Sequence, residues 1–185
     1  MASSSSASPS HVSGPLETLL DQSSLRDLAE QLVEAAKKAG ADAADAVAVR
    51  GVSQGVEIRD GKVEESERSE GDDVGLRVLV GRRQAVVSTN DVRNLDVARL
   101  AERAVAMARI APEDPYAGLA DASLHARIIP DLDLLDPAVP SVAELERRAR
   151  EAEEAGLAVK GITKSGGASA SAGIGGMVLA TSTGF

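Results

Sequence analysis

Apolar and polar residues alternate along the stretch from Gly55 to Asn90, at Val56 and Ile58, then at Val74, Leu76, Val78 and Val80, then at Ala85 and Val87. A period of two predicts antiparallel strands with one buried face. Asp60-Gly61 predicts the first turn, because a two-residue loop of the primed type needs positive φ, which Asp tolerates and Gly adopts freely. Gly81-Arg82-Arg83 predicts another. Between them, Lys62 to Glu70 has Val63 as its only strong hydrophobe among Glu64, Glu65, Glu67, Arg68 and Glu70. That composition reads as an exposed or edge strand whose charges deter edge-to-edge pairing.

A helical period flanks the strands on both sides. Ser24 is the expected cap of a first helix whose stripe is Leu25, Leu28, Leu32, Ala35, Ala36 and Ala39, with Lys37 and Lys38 in the last turn and Gly40 as the stop. Ala41 to Arg50 follows as a first strand, with Val47 and Val49 on one face. After the strands, Asp91 or Asn94 caps a second helix running to about Ala111, with Val97, Ala98, Ala101, Ala104, Val105 and Ala108 on its apolar side. Ser141-Val142-Ala143-Glu144 is a capping box that opens a third helix, ending at Gly156. Ala168 to Ile174 and Met177 to Thr181 then read as a second hairpin, turning at Gly175-Gly176.

The expected fold is α/β of the α+β type, an antiparallel meander sheet covered on one face by two helices, followed by the third helix and the second β-hairpin. Residues 1–23 form a disordered Ser-rich tail, with a short helical turn at Leu16, Leu19 and Leu20, and 24–111 form the helix-sheet-helix domain. Residues 112–140 hold five of the seven prolines and read as a connector, and 141–185 begin a second region. A chain stopping at Phe185, soon after a strand, is expected to be truncated, since an isolated hairpin is marginal in water.

Composition narrows the core and the partners. The chain of 185 residues is 43% hydrophobic and 1% aromatic, with Tyr116 and Phe185 its only rings, so the core must be Ala, Val, Leu and Ile. A net charge of -9 opposes binding to a phosphate backbone, and scarce rings remove stacking platforms. Direct nucleic-acid binding is therefore excluded as an expectation. No window approaches the ~20 apolar residues of a membrane span, and the first 25 residues lack both a secretory apolar run and arginine. With no cysteine and no targeting segment, the expected compartment is the cytoplasm.

Candidate chemistry is sparse. His11 lies in the tail and His125 in the connector, while Asp131, Asp133 and Asp136 alternate with leucines in a Pro-bounded loop; a solvated loop explains them better than a cation site of six or more oxygens. Gly156 and Gly161 have phosphate-loop spacing, but Ile162-Thr163 stand where Lys-Ser/Thr is needed, so they read as a helix stop and a turn. Gly173-Ile174-Gly175-Gly176 precedes a strand and so is no dinucleotide fingerprint. Ser165, Ser169 and Ser171 have no histidine nearby. Arg59 and Arg77 could grip a carboxylate or a peptide backbone, but cross-strand pairing with Glu57 or Glu64 is the plainer reading. No catalytic, cofactor-binding or metal residue is assigned.

From about Leu28 to Phe185 the chain resembles the N-terminal part of the TldD/PmbA (TldE) family. The resemblance rests on Ala39-Gly40-Ala41-Asp42-Ala43-Ala44, on Val56 to Glu64, on Val74-Gly75-Leu76-Arg77-Val78 and on Ser88-Thr89-Asn90-Asp91, in that order. Pro112 to Leu119 is similar to the PmbA/TldE side, and Ala180 to Phe185 to the family's Ser-Asn-Gly-Phe segment, with Thr183 replacing the usual Asn. The resemblance implies a cytosolic two-subunit metalloprotease that trims peptides, and an older label of DNA gyrase modulator. It also implies that a His-Glu-x-x-x-His helix holds the metal in TldD, downstream of this region, and is absent from PmbA/TldE. The expected role is thus the N-terminal domain of a PmbA/TldE-like subunit, structural or substrate-channelling, with a TldD-like partner, unfolded peptide substrates, and zinc in that partner or in a missing half. The alternatives are a non-proteolytic modulator of a partner such as gyrase, and the N-terminal half of a TldD-like catalytic subunit.

Overall fold

The computed structural model describes residues 21–136 and 138–185, so the expected tail and the turn at Leu16 to Leu20 lie outside the described residues. Helix α1 spans Ser23–Lys38, strands β1, β2 and β3 span Ala43–Arg59, Lys62–Val80 and Arg83–Thr89, and α2 spans Val97–Ile110. A 3₁₀ turn at Ala122–Leu124 interrupts the connector before α3 (Val142–Leu157) and β4 (Ala168–Thr181). The four strands form one antiparallel sheet in the order β3-β2-β1-β4.

The turns follow the residues that demand them. Asp60 and Gly61 adopt φ of 50° and 69°, and Gly81 adopts 58°, so both hairpins close through left-handed backbone. Gly40 ends α1 at φ 99°. The glycines between these turns break nothing: Gly51 and Gly55 lie inside a 17-residue β1, and Gly71 and Gly75 inside a 19-residue β2. The acidic arm Lys62 to Glu70 is accordingly the first half of the strand that ends at Val80.

The sheet is covered on one face by α1 and α2, as expected, and Val47 and Val49 share one face of β1, the one turned away from the helices. Ala44, Ala46 and Ala48 are buried beneath the helices, whereas Val47 and Val49 point to the other face and are half-buried. With Val74, Leu76, Val78 and Val87 on the same face, and Ala29, Ala36, Ala101, Ala104 and Ala108 on the helices, alanine meets alanine. Methyl-sized side chains let helix and sheet approach closely. Leu25, Leu32 and Val105 fill the wider gaps.

The second hairpin is absent. Ala168–Thr181 is one 14-residue strand lying along the free side of β1, with Gly175 and Gly176 opposite Gly51 and Arg50 inside the ladder. A glycine pair signals a turn only where the flanking segments can pair with each other. Here the waiting edge of β1 offered a longer ladder. Helix α3 covers the far end of the same face, where Leu145 and Ala149 meet Val56 and Ile58 in a small second cluster.

Three helix boundaries also differ. Gln22 precedes α1 without a side-chain cap, and Ser24 Oγ instead accepts a long hydrogen bond from Arg50 at 3.4 Å. Asp96, rather than Asp91 or Asn94, caps α2 by accepting from the Arg99 amide at 3.0 Å. Ser141 caps α3 as expected, but Gly156 stays helical, and Gly161 at φ 96° makes the later turn.

Candidate functional site

Among the described residues the helices cover one face of the sheet, which leaves the side chains of its other face to meet outside molecules. Register fixes what stands there, since odd-numbered residues of β1 lie beside odd-numbered residues of β2 and β4. Val47 lies between Gly75 and Leu179, and Val49 between Asp73 and Met177. Next comes a row without side chains, Gly71, Gly51 and Gly175, then Ser69, Ser53 and Gly173. The bare face thus passes from an apolar patch, with Met177 66% exposed, through a glycine row to a carboxylate end where Glu57 stands opposite Glu65.

One polar pair on this face is fixed. Arg77 reaches across the ladder to Asp45, with Nε 3.0 Å from Oδ2 and Nη2 on the same oxygen. The hydrogen bond to Asp45 raises the arginine's pKa, so the guanidinium stays charged. Arg59 pairs across the hairpin with Glu64 at 3.0 Å, as expected, and lies 3.6 Å from Glu57 of its own strand, whereas Arg77 takes Asp45 in place of the expected glutamates because the register sets it opposite that residue.

The covered face holds a cleft of about 750 Å³ where the helix layer stops, lined by Arg50, Val52, Glu70, Asp72, Asn90 and Arg93 among others. Arg50 forks onto Asp72, with Nε to Oδ1 at 2.7 Å and Nη2 to Oδ2 at 2.9 Å. These bonds hold the Asp72 carboxyl below its ordinary value. Each group satisfies the other, so a ligand would have to separate them to use either. This pair was not legible in the sequence, because the residues lie 22 apart and their apposition depends on register.

At the tip of the long arm, α3 holds the first hairpin by its backbone. Glu153 is 4% exposed and accepts the amides of Gly61 at 2.8 Å and Asp60 at 3.0 Å. Arg150 donates to the Gly61 carbonyl. The Gly61 amide first, then the Ser165 hydroxyl, holds the Glu153 carboxyl below its usual range. This carboxylate is engaged in positioning a turn.

The other residues weighed from the sequence are dispersed. His11 lies outside the described residues, and the His125 ring sits 5.1 Å from that of Phe185. Asp131 and Asp136 accept from the amides of Asp133 and Ala138, each making a local turn. Ser165 accepts from the Gly167 amide, while Ser169 and Ser171 lie on the bare face of β4. Among the described residues, no three His, Asp or Glu side chains are placed to hold a metal ion, and this donor set does not fit a hydrolytic zinc site.

The region from β1 to α2 matches a family model, PmbA/TldA metallopeptidase domain 1, over residues 44–108. The chain is 36% identical over 129 residues to the metalloprotease PmbA of Escherichia coli O157:H7, an alignment covering 69% of this chain and 29% of that protein. It is 35% identical over 147 residues to the metalloprotease PmbA homolog of Haemophilus influenzae, covering 78% and 32% respectively. The chain therefore spans less than a third of either relative's length. In fold it is similar to a Bacteroides thetaiotaomicron protein described as a modulator of DNA gyrase, with a TM-score of 0.77 at 23% identity, over 90% of this chain and 38% of the other.

Proposed function

The chain belongs to the PmbA/TldD family, and from that premise we propose that it forms the N-terminal domain of a PmbA/TldE-like subunit in a two-subunit metalloprotease that trims unfolded peptides. The observation that carries the reading is the 36% identity to a protein named metalloprotease PmbA, over 129 residues. The domain's part is to shape and stabilise the assembly and to guide extended peptide. A TldD-like subunit, or polypeptide beyond the stretch described here, holds the zinc.

Two physical features support a scaffolding role. The charged groups with the best geometry, Arg50 with Asp72 and Arg77 with Asp45, neutralise each other within the sheet. Catalytic carboxylates and bases instead face an open position where a substrate atom can sit. The bare face, by contrast, offers Val86, Met177 and Leu179 at 62%, 66% and 41% exposure, beside a glycine row that lets another backbone approach. Absence of cysteine, and of any described helix long and apolar enough to cross a membrane, is compatible with work in the cytoplasm.

The test uses the full-length protein, with and without a TldD-like partner, on an unstructured peptide. Cleavage is expected only in the mixture, with loss on chelation. Chelator-sensitive cleavage by this protein alone would assign it to the catalytic side of the family. A mixture that binds but leaves peptides intact would favour a non-proteolytic modulator.

A further inference from the structure

Among the described residues the outer edge of β2 is unpaired from Lys62 to Asp73, because β1 lines one side of β2 throughout whereas β3 takes the other only from Val74 to Val80. In an antiparallel strand every second residue turns its N–H and C=O away from the neighbour, so this arm presents a row of unpaired backbone groups. Residues Lys62 to Gly71 are also exposed, with α3 packed over β1 and β4. Protein edges are ordinarily kept short, covered, proline-bearing, bulged or charged, and here charge is the main device. This one is long, free of proline, and bulged only near its tip, at Glu57/Ile58 of the partner strand.

Its charge is uneven in a directed way. Carboxylates stand at Glu64, Glu65, Glu67, Glu70, Asp72 and Asp73, against Lys62 and Arg68. Glu64, Glu70 and Asp72 are matched by Arg59, Arg68 and Arg50. Among the described residues, Glu65, Glu67 and Asp73 have no cation in salt-bridge reach, and all three lie on the bare face. Glu65 in addition faces Glu57 across the ladder, a like-charge pairing that destabilises a sheet. A second copy of the arm would bring more carboxylate to the same place. A cationic strand would relieve the repulsion and complete the ladder.

We propose that the Lys62–Asp73 edge of β2 docks an extended segment of a partner protein in which every second residue is Lys or Arg. Strand addition places alternate side chains of that segment beside Glu65, Glu67 and Asp73, while its backbone meets the outward groups of β2. The charge pattern selects the partner and excludes self-pairing. This inference goes beyond the peptidase reading and does not depend on it.

The test follows amide exchange of the full 185-residue chain with a synthetic peptide alternating Lys and Thr. One control alternates Glu and Thr; another keeps the lysines but carries N-methyl groups on alternate amides, so that it retains charge and cannot pair. The Lys peptide is expected to protect amides between Val63 and Asp73, and both controls to leave them exchanging. Reversing Glu65 and Glu67 together to Lys is expected to weaken binding about tenfold, from two cross-strand pairs turned repulsive. Both positions are exposed, and a Glu65→Gln, Glu67→Gln variant with an unchanged circular dichroism spectrum supplies the milder step. Absence of protection at millimolar peptide, equal binding of the N-methylated peptide, or unchanged affinity in the reversed variant would each overturn the proposal.

Discussion

Glu153 shows how one buried carboxylate can fix a distant turn. Its two oxygens accept the successive amides of Asp60 and Gly61, where left-handed backbone leaves both N–H groups pointing the same way. Because folding lowers its pKa below the ordinary 4.5, the stabilisation is fully present above about pH 4.5 and is lost as pH falls through the lower folded value. Glu153→Gln, which keeps one acceptor and turns an amide donor toward an N–H, should lower the urea midpoint at pH 7. The gap from the parent should narrow steadily below pH 4.5, and a pH-independent gap would contradict this account. Gly61→Val tests the turn itself: a β-branched residue at φ 69° is strained, and a loss of about 1 kcal/mol or more is expected in the same titration. The turn was legible in Asp60-Gly61, because its residue types are demanded locally. Its clamp was not, since Glu153 lies 92 residues from Gly61 and sits among the similar charges of Glu151 and Glu154.

Within the elements, the same distinction between local and register-dependent information separates what was readable from what was not. The period of two identified the strands, but Ala44-Asp45-Ala46-Val47-Ala48-Val49 carries two apolar phases, and the larger valines point away from the helices. Hydrophobicity alone does not pick the covered face, because it measures transfer and not the space that two close helices leave. The register was hidden by one residue. Arg59 pairs with Lys62 at the turn, and the bulge beyond Ile58 shifts all later pairs by one, which sets Arg50 opposite Asp72 and Arg77 opposite Asp45. Without that shift every β2 side chain would face the other way. Ala46→Leu should therefore cost about 1–3 kcal/mol by overpacking beneath α1 and α2, whereas Val47→Leu should be tolerated within about 0.5 kcal/mol. Comparing the two denaturation midpoints checks the phase, and the opposite ranking would identify the valine face as the covered one.

At the scale of the whole molecule, one strand joins two cores of unequal size. β1 has 17 residues and so runs roughly 55 Å, longer than the α1 and α2 layer can cover. Near its start, the large cluster packs Leu25, Leu32, Leu76 and Val105 among the alanines. At its far end, Val56, Ile58, Leu145 and Ala149 form the small cluster, with Ala170 and Ala172 beside it. Burial near 25 cal/mol per Å² makes the first the main source of stability, so the far end should open at lower free energy than the molecule unfolds. Native-state amide exchange should then show two levels of protection. Amides of the β1 and β2 ladder near Ala46 and Leu76 should exchange through global unfolding, and those near Ile58 through a partial opening that releases α3. Leu145→Ala should cost about 2–5 kcal/mol in principle, but the loss can be felt globally only up to the free energy separating the two openings. The far-end amides should therefore speed up sharply while the β1 amides near Ala46 change little. Uniform acceleration at both ends would mean that the sheet couples the cores into one cooperative unit. In that case the exposed β2 arm would be held as rigidly as the strands beneath α1 and α2.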